Sequence, residues 1–307
     1  MTEAARDDIP FNRDFSLPHG QIEEVLPGIR RMVVNNPSPF TFTGTVTYIV
    51  GRGEVAIIDP GPVNDAHFDT LMSALAGERI THIFVTHTHR DHSPGAARLK
   101  AATGAKVYAE GPHRAARPAL AGEASGMEAG GDVDFHPDVR LRDGERVMGA
   151  GWTLEAVATP GHTMNHLAFA WPEKSALFVG DHVMGWSTSI VAPPDGAMAE
   201  YMASLEKLLS RAEDIYFPGH GPHIPDARRF VQFYIAHRKA REASILHRLA
   251  KGEADIPTLV RAIYIGLDER LVPAAGLSVF AHLEDMAARG AVATHGAPQL
   301  TGTYRLA

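Results

Sequence analysis

Apolar positions along the chain fall into short runs that switch between two periods. Residues 46–50 (VTYIV) and 54–58 (EVAII) are β-rich and flank the turn GRG, which predicts a hairpin. At 63–77 (VNDAHFDTLMSALAG) the spacing becomes helical, with Asn64 placed as N-cap and Gly77 as stop. A strand follows at 80–85 (ITHIFV), then a short helix at 93–104 opened by Ser93 and Pro94, then a strand at 105–109 (AKVYA). Residues 111–140 are rich in Gly, Ala, Pro and charge, carry no period, and are expected to form a surface excursion. Strand patterns resume at 153–158 (TLEAVA), 166–171 (HLAFAW) and 176–180 (ALFVG). A helix at 198–210 (MAEYMASLEKLLS) and a strand at 214–217 (DIYF) complete the series. Strands alternating with helices predict α/β layers.

The texture changes at Asp226. One long helical pattern spans 226–252, two shorter ones span 256–266 and 274–290, and 291–306 (AVATHGAPQLTGTYRL) predicts two short strands across a turn. Helix, helix, helix and a two-stranded wing is the order of a winged-helix module. The expected division is a catalytic domain at 1–225 and a C-terminal helical, winged-helix-like domain at 226–307.

Composition narrows the class. The 307 residues are 45% hydrophobic and 21% charged, the profile of a globular protein. No apolar run approaches the ~20 residues of a membrane span. The N-terminal stretch MTEAARDDIPFNRDF is acidic and polar, unlike a secretory or transit segment, so a cytoplasmic protein is expected. There is no cysteine, so any metal must rest on His and Asp/Glu. Net charge is −7, with 11 Lys/Arg against 8 Asp/Glu from Asp226 onward, which leaves +3 on the tail and −10 on the body. The basic helix near 228–248 is the one hint of nucleic acid, and a solvated charged face is its default reading.

Chemistry-bearing residues follow four apolar runs. HIFV leads into His87-Thr88-His89-Arg90-Asp91-His92, LEAVATPG into His162, ALFVG into Asp181, and DIYFPG into His220. Loops after strands cluster at one edge of an α/β sheet, so these distant residues are expected to converge. His87 and His89 are two apart in an extended segment and point one way. Five imidazoles and two carboxylates exceed the needs of one tetrahedral zinc and suit two ions bridged by a carboxylate and a hydroxide.

THTHRDH, TPGHT, VGDH and FPGHG, in this order, resemble the metallo-β-lactamase superfamily, and TYIVG…IIDPG resembles its opening strands. The likeness covers roughly residues 30–225. It implies an αββα sandwich of two mixed β-sheets flanked by helices. It also implies that His87, His89 and His162 hold one metal, that Asp91, His92 and His220 hold the other, and that Asp181 bridges them. The stretch NNPSPFTFTGTVTYIVG, together with GDHVMG, EYMASLEKLL and the C-terminal end, is similar to the β-lactamase-like protein 2 group, which includes a mitochondrial endoribonuclease. Val46 departs from the Asn expected before Thr-Tyr, which leaves substrate identity open.

These residues imply a hydrolase with two Zn2+, Fe or Mn being alternatives. Its metal-bridging hydroxide would attack an ester-type bond: an RNA phosphodiester, a thioester or a lactone. Asp91 and Asp181 are the catalytic carboxylates, Asp91 orienting the hydroxide or accepting its proton. Asp59 is either a turn former or a carboxylate steadying the metal loop. His166 and His182 are either structural or placed beside the metals, while His223, Trp186 and Tyr201 are pocket candidates. Two other readings remain, an iron-dependent oxidoreductase on the same scaffold and a nucleic-acid-binding winged-helix protein with a structural metal site. A small-molecule or RNA substrate, no membrane, and a homodimer are the expected partnerships.

Overall fold

Alternation within each β-run decides the layering. In the computed structural model, which describes residues 9–120 and 130–307, β1 (Glu23–Leu26), β2 (Ile29–Val33), β3 (Val46–Arg52) and β4 (Glu54–Ile58) form an antiparallel meander. Strands β5 (Arg79–Phe84), β6 (Lys106–Ala109) and β7 (Val139–Arg140) extend it in parallel. A second sheet runs antiparallel through β8 (Arg146–Gly149), β9 (Trp152–Ala158), β10 (Leu167–Trp171) and β11 (Ala176–Gly180), with β12 (Ile215–Pro218) parallel to β11.

Val46, Tyr48 and Val50 of β3 face Leu167, Phe169, Phe178 and Phe217 of the second sheet. Ile49, between them, faces outward to Leu71 of α1 (Asp65–Ala74) and to Leu75, the residue that ends it. The same period of two holds in β10, whose Ala168 and Ala170 face α3 (Met198–Leu209) and α4 (Ala227–Leu249). With α2 (Gly95–Thr103) beside α1, the result is the expected helix, sheet, sheet, helix sandwich. Burial of each large apolar side chain at its centre contributes about 1.5–3 kcal/mol. The Tyr48 hydroxyl, buried there, donates to Pro218 O at 2.7 Å and ties the sheets together.

The C-terminal part has its own core of Ile245, Leu249, Leu259, Phe280, Leu283, Met286 and Tyr304. It comprises β13 (Ala254–Asp255), α5 (Ile256–Ile263), α6 (Val272–Ala288), β14 (Val292–Thr294) and β15 (Thr303–Leu306), the strands ordered β13-β15-β14. Helix α4 serves both cores: Phe230, Val231 and Tyr234 pack on the second sheet, Ile245 and Leu249 in the C-terminal part. Among the described residues no helix is long and apolar enough to cross a membrane.

Local differences from the sequence expectation have physical causes. The hairpin β1–β2 is hidden by charge, because Arg31 is 5% exposed yet sits in a strand, paired with Glu23 at 2.6 Å and lying over the Phe15 ring. Asn64 caps α1 through His67 N as expected, but the helix closes at Leu75 rather than Gly77. Ser93 does not cap α2; its hydroxyl donates to Asp132 Oδ2 at 2.8 Å. Of the excursion expected at 111–140, residues 121–129 lie outside the described residues; its end, Val139–Arg140, is strand β7 of the first sheet, and His113 and Asp132 reach the metal-centre loop.

Candidate metal centre

Every residue expected in the centre leaves the end of a strand. His87, His89, Asp91 and His92 follow β5, His162 follows β9, Asp181 directly follows β11, and His220 follows β12. The first four come from one sheet and the last three from the other, so the site lies on the seam of the sandwich.

The structure brings all seven together as two groups that could each hold a metal ion, His87–His89–His162 and Asp91–His92–Asp181–His220. In the first group His89 Nδ1 lies 3.0 Å from His87 Nε2 and 3.0 Å from His162 Nε2. In the second, His92 Nε2 and His220 Nε2 are 3.3 Å apart, and Asp91 Oδ2 is 3.4 Å and 3.2 Å from them. Asp181 stands between the groups, with Oδ2 3.3 Å from His220 Nε2 and 3.8 Å from His162 Nε2. Its carboxylate thus lies within reach of both groups.

Outer hydrogen bonds fix which nitrogen of each ring faces inward. His162 Nδ1 donates to Ile190 O at 2.6 Å and His220 Nδ1 to Gly44 O at 3.3 Å, which turns each Nε2 inward. Asp59, held at φ 51°, accepts from His92 Nδ1 at 2.9 Å and from the Thr86 hydroxyl at 2.7 Å. Since that hydroxyl donates to Asp59, it accepts from His87 Nδ1, 3.0 Å away. Gly219 leaves room for the cluster: a Cβ there would sit 2.4 Å from Asp181 Oδ1 and 2.6 Å from His92 Cε1.

The two groups differ electrostatically. Burial, reinforced by neighbouring imidazoles, pushes His87 well below the ordinary histidine value, and burial and His162 push His89 down to about 3. Burial would also depress His92 and His220, but Asp91, Asp181 and, for His92, Asp59 outweigh it. His92 is raised well above its usual value and His220 to about 9. Burial would raise Asp91 and Asp181, yet the adjacent imidazoles hold both well below the carboxylate range. The second group thus gathers positive charge as protons where a cation would otherwise sit. Asp91 Oδ1 and Asp181 Oδ1 are buried without a hydrogen-bond partner. Inward-facing ring nitrogens, which would lose their protons to a metal, beside unpartnered carboxylate oxygens fit divalent metal ions.

Neither His166 nor His182 joins these groups. His166 stacks on His87 at 5.1 Å and bonds Thr159 Oγ1 through Nδ1 at 2.8 Å, while His182 is fully buried against Tyr201 at 4.6 Å. Tyr201 is itself buried, its hydroxyl donating to His182 O at 2.7 Å, so it is framework rather than pocket wall. His223 lines a cavity of about 340 Å3 with Pro10, Phe230 and Phe233 that includes none of the seven residues. Trp186 stacks on Phe42 at 4.8 Å and packs over Gly221, next to His220. Sequence reasoning missed His113 and Asp195. Asp195 lies 3.4 Å from His113 Nε2 and 4.0 Å from His89 Nε2, and His113 Nδ1 is 3.0 Å from Thr88 Oγ1. No period or motif marks either residue; only the meeting of two irregular loops does.

Comparison with known proteins agrees with this geometry. Residues 40–220 match the family profile of the metallo-beta-lactamase superfamily, and 256–299 that of the beta-lactamase associated winged helix domain. A beta-lactamase-like protein 2 homolog of Caenorhabditis elegans is 33% identical over 243 residues, covering 78% of this chain and 77% of its own. An atrochrysone carboxyl ACP thioesterase of Aspergillus fumigatus is 32% identical over 263 residues, covering 80% of this chain and 76% of its own. A crystal structure of a metallo-beta-lactamase family protein from Thermus thermophilus superposes with a TM-score of 0.72 at 26% identity, covering 92% of this chain and all of that one. The chain belongs to the metallo-beta-lactamase superfamily and carries the winged-helix domain associated with it.

Proposed function

We propose that this hydrolase is a dinuclear zinc thioesterase. The observation that carries the reading is the position of Asp181 between two ligand groups, which suits a pair of ions rather than one. The thioester class is favoured over phosphodiester and lactone by similarity to a protein named as an acyl-carrier-protein thioesterase. His87, His89 and His162 would hold one ion and Asp91, His92 and His220 the other, with Asp181 available to either. Bound there, the ions supply Lewis acidity and a nucleophile from water at neutral pH.

The chain's own groups do the rest. Asp91, with Oδ1 unpartnered and its carboxyl held ionised by His92 and His220, accepts the proton of the attacking water. Asp59 keeps His87 and His92 in register. A thiolate leaves without needing a strong acid, since a thiol has a pKa near 8.5. In this reading residues 1–225 are the catalytic domain and 226–307 the winged-helix-like part.

The test is a substrate panel of acyl thioesters, lactones and single-stranded RNA with zinc-loaded protein. Thioester turnover that disappears in Asp181→Ala and His87→Ala supports the proposal. Turnover of RNA or lactone alone reassigns the substrate, and stoichiometric iron with oxygen consumption overturns the hydrolytic reading.

A further inference from the structure

We propose that Arg238, on α4, is a positioning residue for the metal centre, acting through the segment 182–192. The assignment rests on the metal-centre reading above. This segment leaves Asp181 without regular secondary structure, and it carries Ile190, whose carbonyl accepts from His162 Nδ1 at 2.6 Å. A proposed ligand of each ion therefore depends on a loop that has no ladder of its own to hold it.

Helices hold it instead. Tyr201 of α3 donates to His182 O at 2.7 Å, and Ser189 Oγ donates to the same oxygen at 3.0 Å. Tyr234 of α4 receives Met184 N at 2.9 Å and lies 2.7 Å from the carbonyls of Met184 and Ser187. One helical turn on, the Arg238 guanidinium donates to Ser189 O, the carbonyl next to the one that orients His162. Adjacent peptide planes share one Cα, so a shift at Ser189 O turns Ile190 O as well.

Arg238 is an unexpected residue to find there. It is 2% exposed, and its partners are Ser189 O and the Tyr201 ring, 5.0 Å from the guanidinium carbon; no carboxylate among the described residues pairs with it. A buried cation without a counter-ion is costly, and an apolar side chain would satisfy the packing alone. What an apolar residue cannot do is donate to Ser189 O while stacking on Tyr201. The position on α4 adds a consequence. The same helix enters the C-terminal core at Ile245 and Leu249, so the seating of the winged-helix part bears on the aim of His162.

The experiment compares wild type, Arg238→Met and Arg238→Lys, loaded with zinc or with cobalt(II), after checking that their thermal midpoints show a folded chain. Expected in Arg238→Met is an affinity for one of the two ions weaker by about 10–100-fold, the range for removing a group that orients a ligand. A changed cobalt visible spectrum and a lower kcat with little change in KM should accompany it. Arg238→Lys, which keeps a donor and a charge, should restore part of each readout. If Arg238→Met does not fold, the lysine variant decides, and it should show a smaller shift of the same kind. A folded variant with unchanged affinity for both ions and an unchanged cobalt spectrum overturns the proposal. Failure of wild type to bind two ions overturns the underlying reading instead.

Discussion

Asp59 accepts a hydrogen bond from His92 Nδ1 at 2.9 Å and, through the Thr86 hydroxyl, also orients His87, so one carboxylate aims a residue of each metal group. Asp59→Asn retains the size but presents an amide nitrogen to donors on one side. It should weaken the affinity for both ions by about 10–100-fold, measured by chelator competition. Affinities equal to wild type would show that Asp59 serves only its turn.

Asp181→Ala should reduce the metal content from about two ions per chain toward one, since it removes the group placed to join them. Atomic absorption on dialysed protein reads this directly. Full occupancy of both sites would argue against a bridging role.

Metal loading should release protons unequally from the two groups. His87 and His89 are held neutral and have none to give, whereas His92 and His220 are raised and carry protons at neutral pH. Loading both sites at pH 7 should liberate protons, those of His92 and His220 among them. Calorimetry in buffers of different ionisation enthalpy counts them, and a value near zero contradicts the charge pattern.

Gly219→Ala should leave the sandwich folded but impair the centre, because the new Cβ collides with Asp181 Oδ1 and His92 Cε1. The expected result is a circular-dichroism spectrum like wild type with metal affinity reduced by at least about 10-fold. Wild-type affinity would mean the neighbouring strand yields without cost.

His67 gives a pH prediction away from the centre. Burial pushes its pKa down to about 4 from an ordinary 6.5. The unfolded chain therefore binds this proton more tightly than the folded one. The stability is full above pH 6.5 and is lost as pH falls toward 4. His67→Gln should remove this component, so the stability difference between wild type and variant should move by about 3 kcal/mol between pH 7 and pH 4. Urea midpoints at both pH values measure it. A constant difference would show that His67 is not buried in its neutral form.

The seven proposed ligands were legible because each follows an apolar run that can only be a strand, and strand ends converge in a layered fold. The α/β layering followed from the same runs, the two-sheet sandwich from the resemblance of the motifs, and the C-terminal part from the loss of strand period after Asp226. What escaped has one cause in common: its meaning appears only in three dimensions. Arg31 hides β2 because its charge is neutralised by Glu23 and its stem is covered by Phe15. His113 and Asp195 lie in stretches without period and meet near His89 only after two loops fold together. Arg238 sits in a run of basic residues that looks like a solvated helix face, and nothing in the run distinguishes the buried arginine from its exposed neighbours.

The division of ligands across the seam has a further consequence. On the proposed assignment neither sheet alone carries a complete set, so the centre would form only once the two halves of the sandwich have closed on each other.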